Sequence, residues 1–103
     1  MAFGYIVHVN GSGSRQDIVD VGVTSGSSAG YIAFDFFNSN TTTVRTITVE
    51  IDQDDSGSYT EIDEFDLLPR RRHRIVLALD ADDTVAAKQD TGTDCEFDAY
   101  QLT

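Results

Sequence analysis

Two adjacent stretches decide the fold: Tyr31–Asn38 reads YIAFDFFN and Val44–Asp52 reads VRTITVEID. The first holds three of the six Phe residues. The second alternates, with Ile47, Val49 and Ile51 on one face and Thr46, Thr48 and Glu50 on the other. A period of two, carried by β-branched and aromatic residues, marks a strand half-buried against a core. Ser39–Thr43 (SNTTT) between them is turn material. The expectation is a central antiparallel hairpin against which the remaining strands pack.

Working outward, Tyr5–Val9 and Asp17–Val23 alternate in the same way, separated by the turn NGSGS at Asn10–Ser14. A flexible connection, SGSSAG, leads into the central pair. Beyond it lie the turn Asp52–Ser58, a strand at Tyr59–Phe65, and the only Pro, Pro69, at a bend. Arg74–Leu79 (RIVLAL) is apolar after its first residue and reads as a strand that could be buried on both faces. Thr84–Gln89 and Cys95–Leu102 close the chain, the latter with Cys95, Phe97 and Ala99 opposing Glu96, Asp98 and Tyr100. About eight short strands, Gly/Ser/Asp turns and no helical period predict an all-β, antiparallel, jelly-roll-like β-sandwich. At 103 residues the chain suits a single domain spanning 1–103.

The net charge is −11, from 18 acidic and 7 basic residues. Fourteen of the acids are Asp, and Lys88 is the only Lys. Asp is a poor strand former, so propensity does not explain the bias. A dense, strongly hydrated carboxylate surface with little Lys fits a salt-saturated environment, where screening relieves self-repulsion. Such a field repels phosphate and argues against nucleic acid as a partner. No stretch approaches the ~20 apolar residues of a membrane span. The opening MAFGYIVHV lacks the basic region and cleavage site of a signal peptide, and reads as a first strand.

Four features could carry chemistry or binding. Asp52, Asp54 and Ser56, with Gly57 and then Asp63, have the spacing of a calcium loop, so Ca2+ is a candidate ligand. The spacing falls between strands and ends on Asp where a Glu is usual. The competing reading is a solvated acidic hairpin. Arg70, Arg71, Arg72 and Arg74, around His73, form a basic run in an acidic chain. Such a run could hold nucleic-acid backbone, the least favoured reading in so acidic a chain. Arg suits bidentate contacts with carboxylates, either of a neighbouring subunit or of the chain's own Asp-rich turns. Phe36 and Phe37 are adjacent, so one of them points away from the core and is a candidate contact with another chain. Catalysis has the least support: His8, His73 and Cys95 fall in no ligand cluster or nucleophile motif, and no cofactor is expected. Cys95 lies in an alternating run and reads as a buried structural thiol.

The layout from Tyr31 to Leu102 resembles small β-sandwich structural proteins of tailed viruses. The carrying elements are YIAFDFFN, a Thr/Asn turn, TITVEI, the Pro-marked entry LLPRRRHRIVL, the turn LDADDTV and the closing AYQL. Asp82 stands where that pattern usually has Gly. The resemblance implies a virion location, a symmetric homo-oligomer, and contact with the major capsid protein or another virion protein. With the acidic bias it points to a virus of halophilic archaea. A capsid decoration or turret subunit leads, followed by a tail or head–tail connector component. A carbohydrate- or cell-surface-binding sandwich, using Tyr31 and Tyr59, is the alternative from another class.

Overall fold

The computed structural model describes residues 4–103. Eight strands form: β1 (Gly4–Asn10), β2 (Gln16–Asp20), β3 (Gly30–Asn38), β4 (Arg45–Asp52), β5 (Thr60–Leu67), β6 (Arg72–Leu79), β7 (Thr84–Gln89) and β8 (Cys95–Gln101). They divide into two four-stranded antiparallel sheets, β1-β8-β3-β6 and β2-β7-β4-β5. The pairs β1·β8, β2·β7, β3·β6 and β4·β5 are those of one long hairpin. Rolling it up adds β3·β8 and β4·β7. This nested order is a jelly roll, as the strand count suggested.

The expected central hairpin does not form. β3 and β4 lie in different sheets, and Ser39–Thr43 carries the chain across the sandwich. The physical reason lies in their apolar faces. Ile32, Phe34 and Phe36 of β3 are buried, as are Ile47, Val49 and Ile51 of β4. Each set belongs to the inner face of its own sheet. The crossing is fixed by polar bonds: buried Asn38 donates through Nδ2 to the carbonyls of Thr43 and Leu67, at 2.8 and 2.9 Å. Asn40 Oδ1 accepts from the amides of Thr42 and Thr43.

Phe36 anchors the core, edge-to-face with Phe97 and Phe65 at centroid distances of 5.2 and 5.5 Å. Cys95 is buried, as expected. β6 departs from expectation: in a two-layer sandwich its outer face meets solvent, and Val76 is 49% exposed. On its inner side His73 stacks on Phe65 at 4.1 Å, closing the sandwich between β5 and β6.

Candidate functional site

The calcium spacing does not become a site. Asp52 spends its carboxylate locally: Oδ1 accepts from the Ser56 amide and hydroxyl (2.9 and 2.6 Å), and Oδ2 from the Gly57 amide (3.0 Å). These bonds, the Ser56 hydroxyl foremost, hold Asp52 below the usual carboxylate range. Asp54 turns into the left-handed region at φ 57°. Asp63 is carried away along β5, opposite Val49, because extended chain advances about 3.3 Å per residue. Among the described residues no group of three or more His, Cys, Asp or Glu converges as metal ligands. The acidic turns lock to each other instead. Asp83 accepts from the amides of Asp80 and Asp54, and the Asp55 amide donates to the Asp82 carbonyl. Asp82 takes φ 72°, so the turn forms with Asp in the conformation Gly usually supplies.

The outer face of the first sheet is organised in rows set by strand register. Tyr5, Tyr100, Ala33 and Val76 lie side by side across all four strands. Tyr31 sits one row further along β3, paired with Ala78 and joined at its carbonyl by the Leu102 amide. Tyr5 is 59% and Tyr31 53% exposed. Tyr5 and Tyr100 meet edge-to-face at 5.8 Å. The next row is charged: His8, Asp98, Asp35 and Arg74. His8 Nδ1 lies 2.6 Å from Asp98 Oδ1, which raises the His8 pKa against the opposing effect of burial. Arg74 donates to both oxygens of Asp35, at 2.6 and 2.8 Å.

Of the adjacent Phe residues, Phe36 turns inward and Phe37 outward, so the contact role expected of Phe36 falls away. Phe37 lies under two guanidinium groups, Arg72 at 4.5 Å and Arg70 at 5.0 Å. Arg70 occupies the bend after Pro69 at φ 60°, a position more usual for Gly. The basic run is therefore divided. Arg74 is balanced within the chain, whereas among the described residues Arg70, Arg71 and Arg72 have no carboxylate within 4.0 Å.

The outer face of the second sheet has a different character. Arg15 clasps Glu50 through two bonds (3.1 and 2.9 Å) and stacks on Tyr59 at 4.0 Å. The Tyr59 hydroxyl donates to Asp17 at 2.6 Å, and that bond pushes the phenol up to about 12. Tyr59 is thus committed to this sheet and shares no face with Tyr31. His8 and His73 lie on opposite edge strands of the first sheet, and burial pushes the Cys95 thiol up to about 12, far from a reactive thiolate.

Sequence reasoning missed Tyr5, Tyr100 and Val76 as a set, because register alone aligns them. It also missed Asp94, in the turn before β8. Arg45 donates to Asp94 through Nε and Nη2, each at 3.0 Å, Asn40 and Gln89 donate at 2.8 Å, and Ser39 bonds its carbonyl. Led by Arg45, these donors hold the Asp94 carboxyl far below the usual range. The cluster ties the inter-sheet crossing to the β7–β8 turn. No family model, no curated protein and no solved structure matches this chain.

Proposed function

We propose that this chain is a virion structural protein, a capsid decoration or turret subunit that assembles as a symmetric homo-oligomer on the particle. The observation that carries this reading is the outer face of the first sheet. It exposes Tyr5, Tyr31 and Val76 around the covered Ala33, beside a row of paired charges. An exposed apolar patch of this kind, rimmed by polar groups, marks a contact surface. The eight-strand jelly roll supports the reading by analogy, being an architecture of viral capsid domains. A tail or head–tail connector part would use the same surface, and neither role asks for a catalytic group or cofactor.

The test is co-sedimentation with empty capsid shells from tailed viruses of halophilic archaea, in molar salt. Wild-type protein is expected in the shell pellet, and Val76→Asp or Tyr31→Ala is expected to release it. Wild-type protein left in the supernatant with every shell would overturn the reading. Three of the four Tyr residues, Tyr5, Tyr31 and Tyr100, share this face, which also favours a second reading as a carbohydrate- or cell-surface-binding module. Specific glycan-array binding lost on Tyr31→Ala but kept on Tyr59→Ala would shift the function to that class.

A further inference from the structure

β5 and β6 are the edge strands on one side of the sandwich, closed on its inner side by the Phe65–His73 stack. Their outward charges are opposite in sign. β5 presents Glu61, Glu64 and Asp66, and β6 presents Arg72 and Arg74. Among the described residues these acids have no cationic partner within 4.0 Å, and neither has Arg72. Glu64 and Asp66 bond only to the hydroxyls of Thr48 and Thr46. The two sets cannot readily neutralise each other within one chain. They stand on the outer faces of two sheets, and packed sheets lie about 10 Å apart.

A second copy removes that separation. A two-fold axis along the strands places β6 of each copy beside β5 of the other. The Leu68–Arg71 turn reverses the chain between β5 and β6, so the new neighbours run antiparallel. Each sheet then continues into the partner's, with outer faces level. In the register that sets Arg72 opposite Asp66, Arg74, which also holds Asp35, falls opposite Glu64; beyond Asp63 the strand bulges at Ile62, and the alternation ends there. Opposite charges directly across a strand pair stabilise it, and like charges destabilise it. Charge on an edge ordinarily blocks edge-to-edge pairing. Here β5 is blocked from β5 and β6 from β6, but β5 and β6 are complementary. Between chains of net charge −11, long-range repulsion opposes association until salt screens it.

We infer that the chain forms a two-fold dimer in which β6 of each copy pairs with β5 of the other. This deepens the homo-oligomer part of the proposed function and rests on that part, not on the particle location. The experiment is light scattering after size exclusion, in molar salt, on wild type, Arg72→Glu, Asp66→Arg and the double variant. Circular dichroism checks that each is folded. Wild type is expected at twice the chain mass of 11.3 kDa. Each single variant should fall to monomer, and the double variant should return to dimer. Should a single variant fail to fold, the chain carrying Glu64→Cys and Arg74→Cys decides: mild oxidation gives a covalent dimer if the register holds. A wild-type monomer, a mass indifferent to both single changes, or no cross-link would overturn the dimer. A monomer that still pellets with capsid shells would leave the virion reading standing, and a dimer that ignores every shell would sink that reading alone.

Discussion

Arg45 and Arg72 carry the same group at two ends of one design. At the crossing between sheets, the Arg45 side chain is 13% exposed and grips Asp94, while Asn40 and Gln89 fill the remaining sites on that carboxylate. Along the β5–β6 side, Arg72 rests on Phe37 and faces no carboxylate within 4.0 Å among the described residues, and Glu64 and Asp66 face no cation. The first region uses polar groups to fix a path of the chain. The second holds exposed charges without an ionic partner among the described residues, open to solvent or to the second copy inferred above. Residue type alone does not distinguish these duties. Burial and the completeness of the bonding do.

Breaking the first region should have the largest effect. Asp94→Ala removes the Arg45 clasp and leaves the buried Gln89 amide and the Asn40 donor short of a partner, and is expected to cost about 2 kcal/mol of folding stability, read by denaturant melts. The pH dependence follows the same group. Its folded pKa lies below its unfolded value of about 3.9, so its contribution is present above that value and fades as pH falls toward the folded pKa. The stability gap between wild type and Asp94→Asn should therefore narrow below about pH 4. A constant gap would mean that the carboxylate charge is not what the cluster uses.

The unpartnered carboxylates act together. Raising salt from low to molar concentration is expected to raise the melting temperature, since screening relieves repulsion within a chain of net charge −11. An unchanged melt would refute the halophilic reading. The smallest effect should come from Asp82→Gly. It relieves a non-Gly residue at φ 72° while keeping the backbone bond from Asp55, and is expected to stabilise by about 0.5–1 kcal/mol. Destabilisation would show that the Asp82 side chain supports the turn.

Strands such as β8 were legible because a period of two runs through them, and Thr84–Gln89 forms from end to end as expected. The alternation of Val19, Val21 and Val23 overran: β2 stops at Asp20, and Val23 stands exposed in the turn beyond it. Alternation also required one of Phe36 and Phe37 to face outward. What it could not supply was partnership. Periodicity assigns a residue to a face, not a strand to a neighbour, so β3 and β4 looked like a hairpin when Asn38 and Asn40 were building a crossing. Likewise DTGTD resembled any other acidic turn, because the donors that single out Asp94 arrive from β4, β7 and the crossing. The cation spacing misled for the same reason: ligands evenly placed along a chain converge only if the chain curls, and after Gly57 this one extends into β5.

The contrast between the two regions is tested most directly by amide hydrogen exchange at two protein concentrations. The amides of Cys95 and Ser39, bonded inside the Asp94 cluster, should be equally protected at both. The alternate amides of β6 that point away from β3 should gain protection as concentration rises, because a second copy then covers that edge. Edge amides that exchange at one rate regardless of concentration would contradict the account.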